Sequence, residues 1–392
     1  MILNEHKKHS YITQPSYGNF CRNEWAVLGT HCSTIRTFAN DIIKALSSLY
    51  KCAYADTHHT NENDTTTLPG SLASGSFIEY TDEINYHQLN YKSIDQFQFS
   101  RVFNEADLAI VNGNHHQAKA QVLVIDETKK DSLKKRLAQL TNVQLILLAD
   151  NANDIFDFVK DAIPSWQQLP VYKLNDTDKS IQFFINKMQH TKPLLNGLVM
   201  AGGKSMRLGY DKSLIQWHGK EQVYHIADAL KKWCSNVFIS CRLDQQKEID
   251  NNYNTLPDTF TGLGPYGAIL SAFREQPDAA WLVTACDMPL LDAKTIEYLI
   301  QQRNPAAMAT AFKSSYDSLP EPLITIWEPK SYPALLSLLS QGYTCPKKAL
   351  KAFDVKILTP HDPDVLMNVN TSADIEKVKQ IMQQKYTAQN AN

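Results

Sequence analysis

No charge of either sign dominates this chain. Its 39 Lys and Arg stand against 41 Asp and Glu, a formal net charge of −2 over 392 residues. That balance gives no bulk attraction to nucleic acid or to an anionic membrane, so neither is expected as a partner. Any anionic ligand must be held by local basic groups. The seven cysteines, at 21, 32, 52, 234, 241, 286 and 345, are scattered, odd in number and contain no CxxC pair. The pattern argues against a disulfide framework or a structural zinc site and suits a reducing cytosol. No apolar run could span a bilayer, and the start MILNEHKKHSYITQ has no apolar stretch of signal-peptide length. A cytoplasmic location is the expectation. There is no internal repeat of solenoid length.

What is present is an ordinary globular composition, 43% hydrophobic and 20% charged. The length predicts two domains. Apolar strand runs alternate with helical patterns through both halves. In the first, strands are expected at Glu24–Leu28, Lys51–Asp56, Asp107–Val111, Val122–Ile125, Val143–Leu148 and Leu169–Lys173, with helices at Ala39–Tyr50, Leu133–Leu140 and Lys179–Gln189. Residues 57–100 read as a long polar loop or insertion. The polar stretch NKMQHTKP at 186–193 is the expected linker, giving domains 1–190 and 191–392. The second half restarts the alternation at 194–201. The expected fold class is α/β, two domains, each a mostly parallel sheet flanked by helices.

Residues 198–212, LVMAGGKSMRLGYDK, carry the strongest chemical signal. An apolar run, Leu194 to Ala201, ends in Gly202-Gly203. Paired glycines after a strand let backbone N–H groups approach an anion closely. Arg207 and Lys212 can clamp the same anion, Arg as a fork and Lys as a point charge. The segment reads as a triphosphate cradle, and it is neither GxxxxGK[ST] nor GxGxxG.

Four further segments add chemistry. Leu256-Pro257-Asp258 follows a weak strand. Gly262-Leu263-Gly264-Pro265-Tyr266-Gly267-Ala268 opens a helix, where backbone donors and the dipole favour an anion or a polar base edge. Cys286-Asp287-Met288-Pro289 ends the buried run Trp281–Cys286, and a carboxylate at the end of a central parallel strand is a natural Mg²⁺ ligand. Met367-Asn368-Val369-Asn370-Thr371 precedes the last helix. Each has a plain structural reading: a tight turn, a helix cap, a strand end. Their order and spacing together point to function.

Those five segments resemble the molybdenum cofactor guanylyltransferases, nucleotidyltransferases built on a Rossmann-like domain. The resemblance covers 194–385. The signature LAGGxxxRMGxDK corresponds to Met200 through Lys212, GPLAG to Gly264 through Ala268, CDxP to Cys286 through Pro289, and NVNTPEEL to Asn368 through Ile375. Glu321-Pro322-Leu323 and the last motif favour this branch. The resemblance implies that Met200, Ala201, Gly202 and Gly203 contact the nucleotide through backbone, Lys212 with Arg207 its phosphates, Gly264 the nucleotide, and Asp258 the guanine and ribose side. It implies that Asp287 holds Mg²⁺ and that Asn368 and Asn370 face the pterin or the metal. GTP and molybdopterin are the implied substrates, with molybdoenzymes or their chaperones as further partners. One position departs: the family's Asn after the second strand is replaced by Ser240-Cys241-Arg242, and cysteine lacks an amide's paired donor and acceptor. CTP in place of GTP, on the same cofactor or a sugar phosphate, is the rival reading. A non-catalytic cofactor-binding protein is another.

Residues 1–190 weakly resemble the GTP-binding adapter protein of the same pathway, a P-loop domain. Asp56-Thr57-His58-His59 and Asp107–Gly113 match its THH and LVEG stretches. Aligned on GxxxxGKT, its glycines fall on Ala26 and His31 and its lysine on Cys32, while Ser33 survives. No charge then reaches a β- or γ-phosphate, and GTP hydrolysis is not expected here. A scaffold, a dimerisation module or a pterin-side docking surface is the expectation. His58-His59 and His115-His116 offer at most one ligand per pair to a given site, because adjacent residues on a strand face opposite ways, and nothing completes a zinc set.

Overall fold

The computed structural model describes residues 11–57, 68–201 and 215–390. Its contacts divide the chain into two compact units, Ser16–Thr191 and Lys192–Asn392, the latter with residues 11–15.

The first unit contains β1 (Glu24–Leu28), α1 (Cys32–Leu46), β2 (Cys52–Ala55), β3 (Ile78–Asp82), β4 (His87–Tyr91), α2 (Gln96–Phe103), β5 (Leu108–Asn112), β6 (Ala120–Ile125), α3 (Lys130–Lys134), β7 (Val143–Leu148), α4 (Asp157–Ala162), β8 (Val171–Lys173) and α5 (Thr177–His190). Six strands form one sheet in the order β2-β5-β1-β6-β7-β8, every pair parallel. Alternation along β1 sends Trp25 and Val27 to one core, with Ile35, Phe38 and Ile42 of α1 and Phe184 of α5. Leu28 faces the opposite core with Leu123, Ile146 and Val159.

The second unit contains β9 (Leu195–Met200), α6 (Gln222–Lys231), β10 (Val237–Cys241), β11 (Asn254–Pro257), α7 (Pro265–Glu275), β12 (Ala280–Ala285), α8 (Ala293–Gln301), β13 (Ala309–Lys313), β14 (Pro320–Trp327), α9 (Ser331–Ser340), α10 (Pro346–Ala352), β15 (Val355–Leu358) and α11 (Ser372–Asn390). Its seven strands run β11-β10-β9-β12-β14-β13-β15. The four from β11 to β12 are parallel, and β14 is antiparallel to both neighbours. A Cβ at Gly197 would come within 2.9 Å of Leu230, so this glycine lets α6 pack directly on β9. The strand order reverses at β9: β10 and β11 lie on one side and β12 on the other. In open α/β sheets, ligands bind outside the carboxyl ends at that point.

Several elements differ from the sequence expectations. The first helix starts at Cys32, not Ala39, because its apolar face already begins at Ile35. Residues 57–100 are not simply irregular: the antiparallel hairpin β3–β4 and the start of α2 lie there. Neither strand of the hairpin has a buried residue, and its apolar side chains Ile78, Tyr80 and Leu89 are exposed, so no buried apolar face marks it. Leu133–Leu140 is not one helix but the last turn of α3 followed by a 3₁₀ turn. Helices α4 and α10 were not anticipated. Among the described residues no helix is long and apolar enough to cross a membrane.

Candidate active site

The carboxyl end of β9 is bracketed on both sides. Ala201 N–H donates to Ser240 O of β10 at 3.2 Å, and Cys286 N–H donates to Met200 O at 3.3 Å. The Met200 carbonyl and the Ala201 amide thus take part in the sheet's own hydrogen bonds. Gly202, Gly203, Arg207 and Lys212 lie outside the described residues.

On the β10 side, Ser240 Oγ donates to Asp258 Oδ1 at 2.8 Å, and Asp258 N–H donates to Cys241 O at 2.9 Å. Burial raises the Asp258 carboxyl above its ordinary range, and the Ser240 hydroxyl only partly offsets that. Cys241 is 4% exposed, and burial pushes its thiol up to about 11. It is a core residue. The side-chain partner of Asp258 is Ser240, the first residue of the segment Ser240-Cys241-Arg242.

The loop after Asp258 is fixed from α7. Ser271 Oγ accepts from Thr259 N–H at 2.9 Å and Phe260 N–H at 3.2 Å while donating to Gly267 O at 2.7 Å. Gly264 caps α7 with φ +55°, a left-handed conformation that favours glycine. A Cβ on Gly267 would meet Phe260 O at 2.1 Å, so only glycine permits that approach. Gly262, Gly264 and Gly267 have the GxGxxG spacing, a signal available in the sequence that the motif reading did not use.

On the β12 side, the turn Asp287-Met288-Pro289 is held at all three carbonyls. Val369 N–H donates to Asp287 O at 2.8 Å, Gln222 Nε2 to Met288 O at 3.3 Å, and His218 Nε2 lies 2.9 Å from Pro289 O. The Val369 bond brings Asn368 beside Asp287. Asn368 Oδ1 is buried and takes no hydrogen bond, a cost that a cation or a ligand donor would remove. Glu321 belongs to the same neighbourhood. Its carboxyl is raised first by burial and further by the charge of Asp287, against the pull of the Leu323 amide and Lys347. The donors here are oxygens, which suit a hard cation such as Mg²⁺. Among the described residues no three or more His, Cys, Asp or Glu gather to hold a metal. One or two carboxylates with phosphate oxygens are what Mg²⁺ sites in phosphate chemistry use.

Asn370 is exposed, and its backbone serves the last helix: Asn370 and Thr371 N–H groups donate to Asp374 Oδ2 at 2.9 and 2.8 Å. Met200, Ala201, Asp258, Asp287 and Asn368 therefore lie at or beside the carboxyl ends of β9 and its neighbours, and Gly264 caps the helix that follows Asp258. Asn370 stands at the rim.

A profile of the MobA-like NTP transferase domain matches residues 197–355. A probable molybdenum cofactor guanylyltransferase from Natronomonas pharaonis is 30% identical over 172 residues, 42% of this chain and 78% of that protein. The chain belongs to the molybdenum cofactor guanylyltransferase family. It is a nucleotidyltransferase. A molybdenum cofactor biosynthesis bifunctional protein from Synechocystis is 32% identical over 185 residues, 47% of this chain, and the match spans 53% of that protein, about half its length. The crystal structure of a MobB protein homologue from Bacillus stearothermophilus matches with a TM-score of 0.31 and 16% identity, over 43% of this chain and 99% of that one, too distant to carry an argument. Guanylyltransferase family membership rests on the second half of the chain.

In the first unit the turn from β1 into α1 is tied to neighbouring strands and loops. The bend is at Gly29, φ +96°, where a Cβ would meet Val124 O at 2.2 Å, and His31 is extended at φ −69°. Thr30 Oγ1 donates to Asp126 Oδ2 at 2.6 Å. His115 Nε2 lies 3.3 Å from Cys32 Sγ and His116 Nε2 3.1 Å from Thr57 Oγ1, so the two rings of that pair have different partners. His58 and His59 lie outside the described residues.

Proposed function

We propose that the chain transfers GMP from GTP to the terminal phosphate of molybdopterin and releases pyrophosphate. The observation that carries this reading is the convergence of Asp258, Asp287 and Asn368 around the carboxyl end of β9, where the sheet order reverses. The name of the Natronomonas relative supports the guanylyl group and the cofactor. An oxygen of the acceptor phosphate attacks the α-phosphorus of GTP in line, the bond to the bridging oxygen breaks, and pyrophosphate leaves. The protein positions the two phosphates and neutralises their charge. Mg²⁺, held by Asp287 with Asn368 beside it, would supply charge neutralisation on the triphosphate. Arg207 and Lys212 would clamp the phosphates. Asp258, oriented by Ser240, would accept from the guanine or ribose. The amide ends at the Gly264 cap of α7 would face the nucleotide, and Asn370 the pterin side.

The case for CTP rested on Cys241, whose buried thiol has no face to offer a base. The test is pyrophosphate release by the full chain with molybdopterin and Mg²⁺, GTP against CTP. Turnover with GTP alone is expected, and equal turnover with CTP rejects the guanine assignment.

A further inference from the structure

The first unit has its own constellation, which nucleotidyl transfer does not use. Cys32 opens α1, and His115 sits on the turn after β5. The Cys32 Sγ–His115 Nε2 distance of 3.3 Å is hydrogen-bonding range for sulfur. Asn114 Nδ2 donates to Thr30 O at 2.9 Å and lies 3.7 Å from the same sulfur. Arg136 Nη1 donates to Asn114 Oδ1 at 3.3 Å. These side chains and Lys129 line a cavity of about 260 Å³.

Three features separate this cluster from ordinary core packing. Burial pushes the thiols of Cys21 and Cys234 up to about 12 and those of Cys52 and Cys241 to about 11, which makes them inert, whereas Cys32 has a base within reach and opens into a cavity. Neither Arg136 nor Lys129 is ion-paired with a carboxylate among the described residues, so two cations face the cavity with their charge available. The volume lies near the lower end of ligand sites, roughly 300–1,000 Å³, which suits a small-molecule occupant.

We propose that this cavity is a thiol-exchange site. Cys32 is the nucleophile and His115 the base, and Arg136 and Lys129 select small disulfides that carry carboxylate or phosphate charge. As Sγ attacks one sulfur of the disulfide, the thiol proton passes to His115 Nε2. The new Sγ–S bond forms, the S–S bond of the small molecule breaks, and the departing thiolate takes the proton from His115. Cys32 is oxidised to a mixed disulfide, and half of the small molecule is reduced to a thiol. A second thiol reverses the exchange, so the cap is removable.

The experiment uses the full chain and two reagents, the dianionic 5,5′-dithiobis(2-nitrobenzoate) and the neutral 2,2′-dithiodipyridine, with modified cysteines located by peptide mass mapping. Exposed Cys345 is the internal reference. Cys32 is expected to react about tenfold or more faster than Cys345 with the dianionic reagent. His115→Gln slows Cys32 with both reagents, while Arg136→Gln slows it with the dianionic reagent only. The comparison of Cys32 with Cys345 in the unmodified protein needs no variant and guards against a misfolded mutant. Cys32 reacting no faster than Cys345, or a preference for the dianion that Arg136→Gln leaves intact, overturns the proposal.

Discussion

The two sheets treat the carboxylates at their strand ends in opposite ways. In the first unit, burial alone would raise Asp126, but hydrogen bonds from Thr128, Thr30 and Asn151 outweigh it and bring the carboxyl down to about 2. Asp56 is likewise brought to about 2, against the effect of burial, by Tyr54, the Thr57 amide, Arg36 and Asn112. In the second unit, burial dominates and raises both Asp258 and Glu321. Asn368 Oδ1, beside Asp287, is buried without a hydrogen bond. In the first unit the strand-end carboxylates have their hydrogen-bond partners within the protein. In the second unit, acceptors at the strand end stay undersupplied, at some cost to the stability of the ligand-free protein.

The largest expected effect is on catalysis. Asp287→Ala or Lys212→Ala costs on the order of 3 kcal/mol of transition-state stabilisation, about a hundredfold in turnover. Steady-state pyrophosphate release measures this, and near-normal rates in either variant would remove the second strand end from the chemistry. The next effect sharpens the contrast in stability. Thr30→Val withdraws a 2.6 Å hydrogen bond from buried Asp126. It should destabilise the protein by about 1–3 kcal/mol in thermal or urea unfolding while leaving guanylyl transfer unchanged.

The smaller effects concern pH and Asp258. Because Asp56 and Asp126 titrate lower folded than unfolded, their stabilisation is present above the ordinary carboxylate pKa of 3.8 and is lost as pH falls toward about 2. Asp126→Asn should flatten that part of the stability–pH curve. Asp258 has the opposite sign. Its raised pKa means that ionisation weakens the ligand-free fold as pH rises, so Asp258→Asn should be neutral or stabilising by less than about 1 kcal/mol at pH 7 while raising KM for GTP. A destabilised Asp258→Asn with normal KM would contradict the comparison.

Much of this was legible in the residues. Buried β-rich runs such as Trp281–Cys286 marked the strands, and the motifs marked Asp258, Asp287 and Asn368, which the fold brings to the carboxyl ends of β9 and its neighbours. Other features were not. The antiparallel turn of β14 has no local signature, because strand direction is settled by tertiary pairing. The sequence singled out Ser240 with Cys241 and Arg242 but not its role, which depends on a bond to Asp258 from the neighbouring strand's end. The start of α1 differs because the resemblance of HCSTIRT to a phosphate loop obscured the apolar spacing Ile35, Phe38, Ile42. The Thr30–Asp126 and Cys32–His115 contacts at the turn after β1 join residues far apart in sequence and required coordinates.

The central claim is that one strand end handles nucleotide and the other does not. The products released from GTP by the full chain in Mg²⁺, with and without molybdopterin, test it most directly. The account predicts pyrophosphate that depends on molybdopterin and no inorganic phosphate under either condition. Inorganic phosphate released from GTP without the acceptor would contradict it, because a working phosphate loop in the first unit would be the source.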